Sequence, residues 1–197
     1  MRTGVAVLLT GFSLLFAGCS GTRVAVHPQP PETGPAFNGA CGRVAVREST
    51  TGRFYPPAGL LLPGFADALT ESGLATAVAY PGIPGEALDY TLDVRFDVIP
   101  APHTGANLAR KVASGLSLFL LAPAFWYDYD YQLRGEVDVY RGPVKAYAVR
   151  SETEAEIRLQ LLALGQRARL EEETLDKAKQ TLYRQLLAEL DRACSSP

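Results

Sequence analysis

"DYTLDVRFDV", residues 89–98, decides the fold. Tyr90, Leu92, Val94, Phe96 and Val98 share one parity, and Asp89, Thr91, Asp93, Arg95 and Asp97 share the other. Strict period two of this kind predicts a strand with one buried and one wet face. A half-wet strand needs helices over one face only, which points to a layered α+β arrangement. The same alternation returns in "FWYDYDYQL", residues 125–133. There Tyr129, Tyr131, Leu133, Val137 and Val139 share a face, opposite Asp128, Asp130, Gln132, Arg134, Glu136 and Asp138. Gly135 falls on the apolar face, where glycine marks a bulge or close packing. "RGP" at 141–143 is a tight turn, and Tyr147, Val149, Ala155, Ile157 and Leu159 keep one parity on the way back. Residues 128–161 therefore form a long hairpin.

Two shorter strands are expected upstream, in "CGRVAVRES" (41–49) and "LATAVAYP" (74–81). Between them Leu61, Leu62, Phe65, Ala66 and Leu69 have the three-and-four spacing of a buried helical face, which predicts a helix over 59–72. Gly73 is its stop. A last helix is predicted over 170–193 from Leu175, Ala178, Leu182, Leu186 and Leu190. Glu171, Glu172 and Glu173 occupy its first turn and Arg192 its far end, as the macrodipole favours. The sum is an α+β two-layer sandwich, a mainly antiparallel four- to five-stranded sheet with two helices on one face.

The N-terminus sets the context. Arg2 precedes "GVAVLLTGFSLLF", residues 4–16, and the small pair Ala17–Gly18 precedes Cys19. A short basic start, an apolar stretch and a small-residue end read as a secretory signal over 1–18, not a structural helix. "LLFAGCS" resembles the lipobox of bacterial lipoproteins. Phe16 stands where that pattern usually has leucine, and Leu15 is one position further back. The resemblance implies that Cys19 becomes the mature N-terminus and carries lipid chains, palmitate among them. Several chains anchor firmly where one holds marginally. Ser20 follows Cys19 where inner-membrane retention typically has aspartate. The implied address is the periplasmic face of the outer membrane.

Residues 19–40 are the lipidated cysteine and a stretch rich in proline, glycine and small polar residues, expected to act as a tether. At full stretch about 20 such residues reach on the order of 70 Å. Residues 41–197 are then a single α+β domain with an apolar insert at 112–127. Two further cysteines remain, Cys41 and Cys194. An even remainder in an oxidising compartment suggests a disulfide pinning the ends of the domain. Such a bridge closes a loop worth roughly 4–5 kcal/mol in the chain-entropy model.

The insert "VASGLSLFLLAPAFWY" holds 16 residues without a charge, with Arg110 and Lys111 before it. A spanning helix needs about 20 apolar residues, and this run is shorter and contains Pro123. Two readings stay open. One is a cover over the sheet, with Trp126 in the core. The other is an exposed arm. Leu116, Leu118, Phe119, Leu120 and Leu121, with Trp126, would then contact a membrane or a partner, basic and aromatic residues serving as interfacial anchors.

Catalytic signatures are absent from the sequence. His27 sits in the tether and His103 in a loop, and "ASGLS" is not a nucleophile elbow. There is no H-E-x-x-H, C-x-x-C or P-loop. Asp128 with Asp130, and Asp93 with Asp97, read as solvated strand edges, since a calcium site wants six or more oxygens. No enzyme, cofactor or metal is expected. A net charge of −2, or −3 once Arg2 leaves with the signal, gives no nucleic-acid footprint.

Lipobox, Pro-rich tether and strand-helix order together resemble the small periplasmic auxiliary lipoproteins of envelope transport and assembly systems, including polysaccharide and lipopolysaccharide export. That resemblance implies a non-enzymatic accessory that docks on an envelope complex. A carrier for a lipid or other apolar ligand is the alternative. A cavity among Phe96, Leu133 and Leu182 would favour the carrier. Exposed Leu116, Leu118 and Phe119 would favour docking. A cleft joining His103 to a serine and a carboxylate would favour a hydrolase.

Overall fold

The computed structural model describes residues 21–29, 37, 39, 41–49, 61–82, 88–101, 103–117 and 124–195. The proposed signal peptide, Cys19, Leu118, Phe119, Leu120 and Leu121 lie outside them. The described elements are β1 (Thr22–His27), β2 (Arg43–Glu48), α1 (Leu61–Ser72), β3 (Ala77–Ala79), β4 (Tyr90–Pro100), α2 (Thr104–Leu116), β5 (Tyr127–Arg141), β6 (Val144–Leu159), a 3-10 turn (Leu161–Gln166) and α3 (Arg167–Ser195). The strands order as β1-β6-β5-β4-β2-β3.

The α+β class holds, with three corrections. The described sheet has six strands, not four or five. It is mixed, because β2 runs parallel to both of its neighbours, β3 and β4. The crossover from β2 to β3 runs through α1, as a parallel connection requires. A third helix, α2, fills the region between β4 and β5. Strand β1 also lies inside the stretch expected to be a tether. Its "RVAV" at 23–26 repeats the "RVAV" of β2 at 43–46. In β2 the three apolar residues are buried, whereas in β1 they are exposed or half-exposed. Position in the sheet, edge against interior, separates the two outcomes.

The chain forms two compact units. Unit 1 comprises Met1–Ala25, Pro100–Tyr131 and Ala155–Asp176, and unit 2 comprises Val26–Ile99, Gln132–Glu154 and Lys177–Pro197.

In unit 2 the predicted faces pack as expected. Leu61, Leu62, Phe65, Ala66 and Leu69 of α1 are buried, and so are Leu92, Val94, Phe96 and Val98 of β4. Gly73 ends α1 with φ +72°. The rings of Phe65, Phe96 and Tyr183 meet edge to face at 5.7–5.8 Å, near the optimum for aromatic pairs. The Tyr183 hydroxyl donates to the Leu61 carbonyl at 2.6 Å. Phe96, Leu133 and Leu182, expected to line a cavity if the protein were a carrier, are 6%, 1% and 0% exposed within this core. Gly135 is the close-packing glycine: a Cβ there would lie 2.7 Å from Leu186 Cδ1 and 3.0 Å from Phe96 Cε1. Cys41 and Cys194 form a disulfide, with Cα atoms 5.1 Å apart. The Tyr147 hydroxyl lies 3.2 Å from Cys194 Sγ, and burial first, then Tyr90, pushes that phenol up to about 12.

In unit 1, Ala155, Ile157 and Leu159 of β6 are buried, as are Tyr127 and Tyr131 of β5. The last helix begins at Arg167, three residues earlier than predicted, because the 3-10 turn leads straight into it. Glu171 and Glu173 therefore sit one turn in, not at the start. They pair instead with Arg167 and Arg169 at the i,i+4 spacing.

Candidate functional site

α2 carries the feature that sets unit 1 apart. Its sequence, "TGANLARKVASGL", contains helix-forming Ala, Leu, Arg and Lys, and the helix closes with Ser117 at its C-cap. Successive residues turn about 100° around a helix. Asn107, Arg110 and Ser114 thus share one side, and Leu108, Val112 and Leu116 share the opposite side. In an ordinary surface helix the apolar side faces inward. Here the polar side does. Asn107 is 7% exposed and Ser114 is fully buried, whereas Leu108, Val112 and Leu116 are 62%, 53% and 82% exposed.

The reason is the strand that α2 covers. Beyond Pro100, where β4 ends, the start of β5 still presents backbone donors and acceptors, and buried backbone groups must be paired. Asn107 Nδ2 donates to the Asp128 carbonyl at 2.7 Å, and Asp128 N donates to Asn107 Oδ1 at 3.1 Å. One amide side chain thus stands in for a neighbouring strand. Arg110 Nη1 donates to the Trp126 carbonyl and to Asp128 Oδ2, the latter at 2.7 Å. Ser114 Oγ and the Tyr127 hydroxyl lie 3.4 Å apart. Arg158 approaches the second oxygen of Asp128 at 3.5 Å. These bonds orient α2 and leave its apolar side outside.

A groove of about 310 Å³ adjoins the helix, with Leu108, Lys111, His103, Tyr129, Asp130 and Arg167 in its lining. His103 Nε2 lies 2.8 Å from Asp130 Oδ2. The Arg167 guanidinium stacks 4.1 Å from the centre of the Tyr129 ring. It also approaches Glu171 at 3.3 Å. Tyr131 donates to Glu171. Burial first, and then that bond, pushes its phenol up to about 12, which keeps it a donor. Lys111 is exposed and makes no ion pair among the described residues.

The sequence-predicted residues divide clearly. Leu116 is exposed at the end of the stripe. Trp126 is half-buried, with Arg23 4.8 Å from its ring centre. Gly21 leaves room for that ring, since a Cβ there would lie 2.9 Å from it. His103 does meet a carboxylate, as a hydrolase requires. The groove supplies Thr104 beside the pair, and among the described residues no serine or cysteine lines it. Asp128 and Asp130 are not a free solvated edge: one is held by two arginines, the other by His103. Among the described residues, no group of three or more His, Cys, Asp or Glu is placed to hold a metal. None of the described helices is long and apolar enough to cross a membrane.

Sequence reasoning missed Asn107 and the stripe as a unit. The signal was present: Leu108, Val112 and Leu116 recur every four residues, and no Asp or Glu occurs from Val98 to Tyr127.

No family model and no curated protein matches the sequence. Similar solved structures include a minor lipoprotein from Acinetobacter baumannii, at 13% identity over 79% of this chain and 96% of that one, with a TM-score of 0.42. A DUF330 protein from Xanthomonas campestris is similar at 11% identity over 85% of this chain and 95% of that one, TM-score 0.39. The PelC dodecamer from Paraburkholderia phytofirmans is similar at 12% identity over 90% and 99%, TM-score 0.31.

Proposed function

We propose that this protein is a non-enzymatic, lipid-anchored envelope protein. Its domain docks through the outward side of α2, as an accessory of an envelope transport or assembly system. The observation that carries the reading is the inverted helix. Leu108, Val112 and Leu116 are held outward by hydrogen bonds on the opposite side of α2, so the stripe cannot turn in to the core. A fixed, exposed row of large aliphatic side chains marks an interaction surface. The lipobox-like "LLFAGCS" supports anchoring at Cys19 and an outer-membrane address on the periplasmic side.

Cross-linking in intact envelopes, followed by capture of the protein, tests this. The native chain is compared with a Leu108→Asp, Val112→Asp, Leu116→Asp variant. All three positions are exposed, and surface changes of this kind typically alter stability by about 0.5 kcal/mol or less each. An intact Cys41–Cys194 disulfide and an unchanged circular dichroism spectrum confirm folding. The native chain is expected to cross-link to a defined set of envelope components that the variant loses. The same cross-links in both would contradict docking through α2.

A further inference from the structure

We infer that the surface met by α2 is lipid: the helix lies in the membrane interface, with Leu108, Val112 and Leu116 among acyl chains and Lys111 at anionic headgroups. This rests on the docking reading and names its partner. Three observations favour lipid over protein.

The first is shape. The stripe runs along the helix axis, and the eight steps from Leu108 to Leu116 at 1.5 Å each make it about 12 Å long. A helix lying in the interface buries its apolar side about 5–10 Å deep, and this one presents a single line of aliphatic side chains at one level. The second is composition. Protein interfaces draw their affinity from Trp, Tyr and Arg anchors. The exposed residues of α2 are Leu, Val, Ala and Gly with Thr104 and Lys111, and the helix contains no aromatic residue and no exposed arginine. A fluid apolar medium accepts such a face without complementary pockets.

The third is charge. α2 contains no acidic residue, and the stretch from Val98 to Tyr127 contains none either. Arg110 is engaged inward on Asp128. Lys111 is left exposed beside Leu108, at the lip of the groove that also holds His103 and Arg167. A lysine one residue from the apolar stripe reaches headgroup level while its stem follows the hydrocarbon. The acid that lines this groove, Asp130, is turned onto His103, 2.8 Å from its Nε2.

The test uses the full chain extracted from envelopes and reconstituted in protein-free vesicles of phosphatidylcholine mixed with phosphatidylglycerol. An environment-sensitive fluorophore is placed at Leu116→Cys. Val144→Cys, an equally apolar exposed site in unit 2, is the control. Brominated lipids should quench the Leu116 probe and spare the Val144 probe. Lys111→Glu, or replacement of phosphatidylglycerol by phosphatidylcholine, should lower the inserted fraction about fivefold per charge interaction lost. A Leu116 probe as wet as the Val144 probe in these vesicles, yet shielded in native envelopes, overturns the lipid assignment and leaves docking on a protein. A probe wet in both overturns the docking reading as well. Insertion indifferent to phosphatidylglycerol and to Lys111 overturns the role given to the headgroup charge.

Discussion

Cys41→Ala combined with Cys194→Ala is expected to lower the unfolding free energy by about 3–5 kcal/mol. The bond joins residues 153 apart, from the turn before β2 to the last turn of α3, both within unit 2. The denatured chain loses loop-closure freedom that grows with the logarithm of loop length. This loop gives about 5 kcal/mol in that account, and measured values for native bridges run at or below it. Cys41 is also 3% exposed, so its replacement trims a packed side chain. Urea unfolding of the native, the dithiothreitol-reduced and the double-alanine chains measures the effect. The reduced and alanine forms should shift together to a lower midpoint. A loss below about 1 kcal/mol would show that the bridge is not what holds the ends of unit 2.

Gly135→Val is expected to cost about 2–3 kcal/mol, the upper part of the range for overpacking. A mid-strand glycine ordinarily weakens its strand and needs a reason. The reason here is the 2.7 Å that a Cβ would leave to Leu186 and the 3.0 Å to the Phe96 ring. Leu186 ends in a rotatable methyl, but Phe96 is locked between Phe65 and Tyr183. Gly135→Ala should fall between the native chain and the valine variant in urea midpoint. A valine variant as stable as the native chain would mean that α3 yields freely over β5.

The elements most legible in sequence were those whose burial follows one simple period. In β4, the alternation of Tyr90 to Val98 became the alternation of half-buried and buried residues along the strand. In α1 all five residues of the predicted stripe are buried, because nothing but the core competes for them. β1 was hidden by its surroundings: "RVAV" reads as a strand beside Cys41 and as part of a tether among prolines. Only pairing at a sheet edge separates the two. The parallel neighbours of β2 were likewise invisible, since short buried strands carry no mark of direction.

α2 was the hardest to read, for a physical reason. An amphipathic period states that a helix has two sides, and by itself says that the apolar one is buried. Asn107 and Arg110 reverse this, because the half-buried backbone at Trp126 and Asp128 demands polar partners more strongly than three aliphatic side chains demand the core. That demand arises between residues up to 21 positions apart, so no local window contains it. The His103–Asp130 pair, 27 residues apart, was illegible for the same reason.

Whether the outward side of α2 is covered in the envelope is read from the rate of maleimide labelling at Leu116→Cys in intact envelopes. Leu116 is the most exposed residue of the stripe, and Val144, exposed at the start of β6, serves as reference. Leu116→Cys is expected to react much more slowly than Val144→Cys in envelopes and equally fast once the chain is purified in detergent-free buffer with its disulfide intact. Equal labelling of the two sites in intact envelopes would contradict docking through α2, because a stripe open to water there docks on nothing.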